Sequence, residues 1–247
     1  IFFAFLIAVL CFAGIDRELR GILLGATIIV VLGILDDILT LNALPKFAVQ
    51  IVAAIIAVLH GCRIEHFMGF RLATWLSYPV SVIWIVAITN AVNLIDGLDG
   101  LACGVSTISS MTLLVISLVV SDAPAAILMA ALAGSCIGFL PYNLNPAKIF
   151  MGDTGSLFLG GAVCGLAFAL DIPLILITVG VIYIAETLSD ILQVGYFKLS
   201  HGKRIFRMAP LHHHLEMGGW SEVKLFCVFT GITAVTCVLS FWGVMNR

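Results

Sequence analysis

The sequence predicts an all-α fold, a polytopic transmembrane helical protein, and three observations lead to this prediction. Hydrophobic residues make up 62% of the 247 positions and charged residues only 11%, with a mean hydropathy of +1.18. Such a composition is incompatible with an ordinary soluble domain. Apolar stretches recur along the whole chain, and they approach the ~20 residues with which a helix crosses ~30 Å of hydrocarbon. They lack the alternating pattern of barrel strands.

Nine apolar spans are predicted in this chain. They cover residues 1–13, 21–35, 47–60, 79–94, 101–120, 124–141, 155–170, 172–197 and 223–245. The first begins IFFAFLIAVL, without a basic n-region or a cleavage site, so we interpret it as part of a helix and not as a signal peptide. No linker or internal repeat separates the spans, and we expect a single domain over residues 1–247.

The loops sort between two faces because each crossing moves the chain to the opposite side of the membrane. Loops 36–46, 95–100, 142–154 and 198–222 are separated by two spans each, so they should share one face. This face carries Lys46, Lys148, Lys198, Lys203, Arg204, Arg207 and Lys224, against Arg17, Arg20, Arg63, Arg71 and Arg247 on the other. By the positive-inside rule, the face with more cations is predicted to be cytoplasmic.

Two classes of function are disfavoured by composition. A net charge of −2 and a pI near 6.3 provide no basic surface of the kind that nucleic-acid binding requires. The seven cysteines include no CxxC pair, which argues against a redox or metal motif. Because charge is scarce, each polar cluster between apolar spans is costly in a bilayer and indicates function.

The second span ends in two adjacent carboxylates, Asp36 and Asp37. Such neighbours repel unless a cation or a proton intervenes, and carboxylates hold Mg²⁺ near phosphates. Lys46, ten residues later, is placed to meet a phosphate. The alternative is a helix end that meets water.

In NAVNLIDGLDG, the polar residues Asn90, Asn93, Asp96 and Asp99 recur at every third position. This spacing places them on nearly one side of a helix end. As an alternative, the two aspartates cap the following helix, but amides inside the membrane would still need partners.

A further span begins near Asp153, Thr154 and Ser156. A helix N-terminus attracts phosphate or a metal-bound carboxylate, and the alternative is an ordinary N-cap. The preceding Phe150 either stacks on a base or contributes to packing.

The run APLHHHLEMGGWSE contains His212, His213 and His214. Three adjacent side chains do not readily converge on one tetrahedral zinc ion, so donors aimed at phosphate oxygens are favoured. The cations before this run attract anions, either a substrate or lipid headgroups.

The motifs together favour phosphoryl transfer. Enzymes that catalyse this reaction stabilise charge with carboxylate-bound metal ions, amides, helix N-termini and cationic side chains. A cation-coupled transporter is the alternative from another class.

Four ordered motifs resemble the polyprenyl-phosphate N-acetylhexosamine-1-phosphate transferases. They are DD at 36–37, NAVNLIDGLDG at 90–100, FMGDTGS at 150–156 and KRIFRMAPLHHHLEMGGWSE at 203–222. The last motif is similar to the branch that transfers phospho-MurNAc-pentapeptide, and differs from the branch that transfers GlcNAc-1-phosphate, which remains the alternative.

The resemblance implies a bacterial inner-membrane enzyme of peptidoglycan synthesis, with its site facing the cytoplasm. It implies Mg²⁺ as cofactor, UDP-MurNAc-pentapeptide as donor and undecaprenyl phosphate as acceptor, with a lipid-linked intermediate and UMP as products. A homodimer within the membrane lipids is implied too. Members of the family have ten helices, and we expect this chain to lack the first of them and the loop after it.

The resemblance also implies roles for individual residues. The catalytic residues would be Asp36, Asp37, Asp153 and His212, and Mg²⁺ would be held by Asp153 and Asp96. The substrate-binding residues would be Lys46, Asn90, Asn93, Asp96, Asp99, Asn143, Phe150, Gln193, His213 and His214. One position departs from the family pattern: Thr40 stands where members usually carry lysine, and we expect Lys46 to take over that phosphate contact.

Overall fold

The computed structural model describes residues 1–67 and 70–246, and this part of the chain is mainly helical. The elements in chain order are α1 Phe2–Phe12, α2 Arg17–Leu39, α3 Ala43–His60, β1 His66–Phe67, β2 Phe70–Arg71, α4 Thr74–Leu94, α5 Leu101–Val119, α6 Ala123–Asn143, α7 Gly152–Ala169, a 3₁₀ turn Pro173–Ile175, α8 Leu176–Val179, α9 Val181–Leu199, α10 Leu211–Glu216 and α11 Glu222–Met245. The two short strands pair antiparallel.

Within the described residues, seven helices are long and apolar enough to cross a membrane: α2 to α7 and α11. The chain is therefore an all-α, multi-pass membrane protein, as predicted. Two of the predicted spans look different in the structure. Span 1–13 corresponds to α1, which has only 11 residues. Span 172–197 is a helix pair bent by 81° at Gly180, which gives an eighth candidate if the pair counts as one span.

The bend at Gly180 is supported by serines of α5. Breaking a helix inside a membrane frees backbone groups, and these must find partners within the protein. The carbonyl of Val179 accepts a hydrogen bond from Ser109 Oγ at 2.9 Å. One turn into α9, the Tyr183 hydroxyl lies 2.8 Å from Ser106 Oγ, and both residues are fully buried. The polar face of α5 thus stabilises the broken helix.

The central element is α7, which packs against α2, α4, α5 and α6. Small residues let the backbones approach closely, as is usual between membrane helices. A side-chain carbon at Gly160 would lie 2.8 Å from the Cα of Thr89 on α4, and one at Gly33 would overlap the backbone of Thr154. The contact of α2 with α7 therefore holds the end of α2 against the start of α7.

The four polar loops meet at one end of the bundle, as the count of crossings predicts. Ala147 N donates to Asp99 Oδ2 at 2.9 Å, which joins loop 142–154 to loop 95–100. His212, in the loop 198–222, contacts Gly97. Loop 36–46 reaches the same place, since Lys46 Nζ lies 2.9 Å from Asp153 Oδ2.

Candidate active site

A cleft of about 420 Å³ opens at this loop end. Its walls come from the end of α4, the 95–100 turn, the end of α6 and the start of α7. The lining residues are Asn93, Leu94, Asp96, Gly97, Leu98, Asp99, Asn143, Phe150, Met151, Gly152 and Asp153. Six of the residues predicted to belong to the site, Asn93, Asp96, Asp99, Asn143, Phe150 and Asp153, therefore lie around one cleft, although they come from three separate segments of the sequence.

Asp37 caps α7 from a distant part of the chain. The N-cap position of α7, Met151, makes no side-chain capping bond. Instead, the main-chain N–H groups of Asp153 and Thr154 donate to the two Asp37 oxygens at 2.9 and 3.1 Å, and Thr154 Oγ1 donates at 2.6 Å. A carboxylate at a helix N-terminus satisfies free N–H groups and complements the helix dipole. Asp153 itself does not cap the helix and its side chain is available for other partners.

Asp36 is buried, with 4% of its surface exposed, so it is not a helix end that meets water. Its side chain forms an ion pair with Lys46 and accepts a hydrogen bond from Leu41 N at 2.7 Å. Lys46 also bonds Asp153 Oδ2 at 2.9 Å. A buried carboxylate needs such compensation because it has lost its hydration. Lys46 thus joins the end of α2 to the start of α7.

The second oxygen of Asp153 is held from α4. Asn93 Nδ2 donates to Asp153 Oδ1 at 2.9 Å and to Ser156 Oγ at 2.8 Å. Ser156 donates in turn to the Gly152 carbonyl at 2.8 Å. Both oxygens of Asp153 are therefore fixed at the wall of the cleft.

Asn90 lies one helical turn deeper than Asn93 and does not line the cleft. Its amide pairs with the buried amide of Gln50 on α3, and it also donates to the Val86 carbonyl at 2.8 Å. An amide inside the membrane needs a hydrogen-bonding partner, and for Asn90 this partner is Gln50. The observed contacts of Asn90 are therefore with α3 and with its own helix, α4.

The two aspartates of the 95–100 turn do not cap α5, whose N-cap is Gly100 without a side-chain bond. Asp99 instead holds the loop after α6, accepting from Ala147 N at 2.9 Å and Asn145 Nδ2 at 3.2 Å. Asp96 is half-buried at the cleft wall. Burial, and after it the charges of Asp153 and Asp37, raises the pKa of Asp96 to about 7.

Asn143 and Phe150 complete the opposite wall. Asn143 donates to the Ile149 carbonyl at 3.1 Å, while its buried Oδ1 has no hydrogen-bond partner in the described part of the chain. Phe150 is 75% exposed. A large exposed ring at the mouth of a polar cleft is suited to stacking on a planar ligand.

The three consecutive histidines point to three different partners. His212 is buried and its Nδ1 lies 3.1 Å from Glu186 Oε2. His213 Nδ1 lies 2.6 Å from Glu216 Oε2, and His214 Nδ1 accepts from Arg207 N at 3.0 Å. The rings therefore do not share one ion.

Gln193 organises the loop that precedes the histidines. Its Oε1 accepts from Ile205 N and Phe206 N at 3.0 and 2.9 Å, and its Nε2 donates to the Phe206 carbonyl at 3.1 Å. These contacts use the hydrogen-bonding groups of the amide within the protein. Lys46, Gln193, His213 and His214 do not line the cleft, although Lys46 contacts Asp153 at its edge.

The cleft offers donors of the kind that Mg²⁺ prefers. Among residues 1–67 and 70–246, no group of three His, Cys, Asp or Glu side chains is arranged to hold a metal ion. Mg²⁺, however, is typically bound by one or two carboxylates together with substrate phosphates and water. Asp96 and Asp153 both line the cleft and carry such oxygens, so the residues present fit this ion.

Sequence reasoning did not find Glu186, which is fully buried beside His212. It also did not find Gln50 or Glu216. A signal for Glu186 was present, because an acidic residue within an apolar span is costly and needs a partner. Its partner, in a loop 26 positions later, follows only from the fold.

The fold and the cleft define a class: a multi-pass helical membrane protein with a carboxylate- and amide-lined site at one end of its bundle. A sequence profile described as glycosyl transferase family 4 matches residues 19–171, more than half of the chain. The chain belongs to this family.

Its relatives narrow the assignment within the family. A phospho-N-acetylmuramoyl-pentapeptide-transferase of Clostridium botulinum is 44% identical over 226 residues, 85% of this chain and 69% of the relative. Proteins of the same name from Acetivibrio thermocellus and Clostridium perfringens are 50% identical over 171 residues and 53% identical over 163 residues. These matches cover 69% and 66% of this chain, and 52% and 50% of the two relatives. The chain thus spans between half and about two thirds of these relatives, and its resemblance to such transferases is confirmed.

Proposed function

We propose that the protein transfers phospho-MurNAc-pentapeptide from UDP-MurNAc-pentapeptide to undecaprenyl phosphate, with Mg²⁺ as cofactor, and releases UMP. The product would be the first lipid-linked intermediate of peptidoglycan. The names of the relatives support this activity. The main structural support is that Lys46 brings Asp36 and Asp153 together at the edge of the cleft. Asp96 lines the same cleft.

Mg²⁺ would be held by Asp96 and Asp153. When bound, it would neutralise charge on the diphosphate and orient the phosphorus that is attacked. Other side chains would position the metal ligand and bind the base of the donor. Asn93 keeps Asp153 in place, and the exposed ring of Phe150 is suited to stack on the uracil.

The proposed reaction exchanges one phosphate anhydride for another. An oxygen of the lipid phosphate attacks the phosphorus bonded to the sugar. The P–O bond that joins this phosphorus to the UMP part of the donor breaks, and UMP leaves with the bonding electrons. A phosphate monoester is already ionised at neutral pH, so it needs no strong base. Asp36 and Asp37 are engaged with Lys46 and the N-terminus of α7, which favours direct attack over an aspartyl intermediate. Lys46 would guide the attacking phosphate.

We also propose that the cleft end faces the cytoplasm in the bacterial inner membrane, that α1 and the bent α8–α9 pair complete nine spans, and that the protein is a homodimer. The greater number of cations at the cleft end supports the orientation. A nucleotide-linked donor is a cytosolic compound, which agrees with that orientation.

The test is UMP release in detergent–lipid micelles containing undecaprenyl phosphate. We expect release with UDP-MurNAc-pentapeptide and Mg²⁺, none in EDTA, and a rate at least about 10²-fold lower for Asp153→Asn. Asp171→Asn, at the opposite end of the bundle, is the matched control and should keep wild-type activity. Release with UDP-GlcNAc alone would indicate the other branch of the family. Full activity of Asp153→Asn would overturn the site assignment.

The position of the carboxylates disfavours the transporter alternative. The carboxylates of the site lie in the last turn of α2 and the first turn of α7, whereas an ion pathway should place such groups near the membrane midplane. Uptake of a cation by vesicles that release no UMP would support the transporter instead.

A further inference from the structure

Glu186 and His212 form a buried pair behind the cleft. Glu186 lies in the second turn of α9 with none of its surface exposed, and His212, in the first turn of α10, is 1% exposed. Two acceptor oxygens of Glu186 meet two donors of His212: the main-chain N–H at 3.1 and 3.3 Å, and ring Nδ1 at 3.1 Å. Both oxygens of the Glu186 carboxylate are thus held by a single residue.

The partner of Nδ1 selects which nitrogen of the ring carries hydrogen. Both Glu186 oxygens accept from the main-chain N–H of His212. A carboxylate only accepts hydrogen bonds, so in a pair of a carboxylate with an imidazole Nδ1 is the donor. In the neutral ring, Nε2 then has its lone pair free, and in the charged ring it donates. Either way, Glu186 holds the ring through two anchor points and leaves Nε2 as the group that faces away from α9.

Nε2 points at the wall of the cleft. It is buried and has no hydrogen-bond partner in the described part of the chain. A side-chain carbon at Gly97 would lie 2.9 Å from it, and Gly97 lines the cleft between Asp96 and Asp99. An unpartnered buried ring nitrogen is costly, and such exceptions are found at functional sites. Because Gly97 has no side chain, Nε2 can lie close to this turn of the cleft wall.

We propose that Glu186 is a positioning residue for the transfer reaction: it fixes the tautomer and orientation of His212 so that Nε2 meets the diphosphate of the donor at the 95–100 turn. This inference rests on the proposed function. His212 is the residue that would touch the substrate, and Glu186 acts only through it.

The experiment compares Glu186→Asp with Glu186→Gln in the UMP-release assay. Glutamine has nearly the shape of glutamate, but its NH₂ group faces either Nδ1, which must then become an acceptor and move its hydrogen to Nε2, or the main-chain N–H. Aspartate is shorter and leaves a small cavity, but it keeps an acceptor for both donors. A role in packing alone predicts that glutamine is the milder change.

We expect the opposite order. Glu186→Gln should lower kcat at least about 10-fold with KM changed less than about 3-fold, because misorientation affects the reacting geometry more than ground-state binding. Glu186→Asp should retain more activity. Ser189→Ala is the matched control one turn along α9, since its hydroxyl only donates to the Glu186 carbonyl; it should keep the wild-type kcat.

A double-mutant cycle makes the test independent of folding losses. In a His212→Gln background, adding Glu186→Gln should change kcat less than about 3-fold, because the residue through which Glu186 acts is already gone. Equal losses in both backgrounds, or a Glu186→Gln variant as active as wild type, would overturn the inference while leaving the activity itself intact. Absence of UMP release by the wild-type protein would instead overturn the proposed function, and this inference with it.

Discussion

The side chain of Asp37, at the end of α2, caps the N-terminus of α7 by accepting hydrogen bonds from the main-chain N–H and the hydroxyl of Thr154. The two residues are 117 positions apart in the sequence. Since α7 carries Asp153 in its first turn, this cap sets the position of a residue that contacts the cleft. Asp37 thus binds the start of α7, whereas its neighbour Asp36 pairs with Lys46.

The first prediction concerns this cap. Asp37→Ala should lower the free energy of unfolding by about 1–2 kcal/mol, the usual effect of losing an N-cap, and Asp37→Asn should lower it less. Unfolding in SDS followed by circular dichroism measures the change. Asp122→Ala is the control, because Asp122 caps α6 by accepting from Ala125 N at 3.1 Å. It should cost similar stability without lowering UMP release, whereas Asp37→Ala should lower both. Wild-type activity of Asp37→Ala would contradict the prediction.

The second prediction concerns the α2–α7 contact. A methyl group at Gly33 would overlap the backbone of Thr154, so Gly33→Ala should push the two helices apart and destabilise the protein by about 1–3 kcal/mol. Activity should fall as well, since Asp37 would leave the start of α7. Thermal unfolding and UMP release are the measurements. Gly134→Ala, on α6 with nothing within 4 Å, is the matched control. Similar effects of the two substitutions would refute the close-contact argument.

The third prediction concerns Lys46, which bridges Asp36 and Asp153. Lys46→Met should reduce UMP release about 10²-fold, because it removes a cation from the charged site, and should lower Tm, because Asp36 stays buried without its partner. Adding Asp36→Asn removes the unpaired charge and should recover Tm but not activity. Lys198→Met, at an exposed position of α9, controls for loss of a charge. An unchanged Tm in Lys46→Met would indicate that the bridge contributes nothing to folding.

The fourth prediction concerns pH in the absence of divalent ions. Burial, reinforced by Asp153 and Asp37, raises the pKa of Asp96 to about 7, against about 3.9 for an unperturbed aspartate. Because the folded-state value is the higher one, the contribution of Asp96 to stability is complete below about pH 4 and is lost as pH rises through 7. In EDTA, Asp96→Asn should therefore gain stability relative to wild type between pH 4 and pH 8.

The measurement for Asp96 is the difference in Tm between Asp96→Asn and wild type at each pH. Asp171→Asn, at the end of the bundle opposite the cleft, is the control for replacing an aspartate far from this site. If the difference for Asp96→Asn were constant across this range, the carboxyl would not titrate there.

Much of the architecture was predictable because its causes are local. A helix of about 20 apolar residues crosses a bilayer whatever the rest of the chain does, and alternate crossings place loops 36–46, 95–100, 142–154 and 198–222 on one side. Their meeting at one end of the bundle is confirmed by contacts such as that of Asp99 with Ala147. The bend at Gly180 was not predicted, because the Ser109 hydroxyl that stabilises it comes from a different helix.

For the site, the spacing of the motifs was enough to predict which carboxylates, amides, histidines and cations reach the loop end, and the family resemblance is confirmed by the relatives. Which partner each of these residues contacts followed only from the fold. Asp37 caps α7, Lys46 joins Asp36 to Asp153, Asn90 pairs with Gln50, and Glu186 holds His212. These contacts could not be predicted because they depend on two things. A polar group buried in a membrane needs a hydrogen-bonding partner within the protein. Close helix contacts at residues such as Gly33 determine which partner lies within reach.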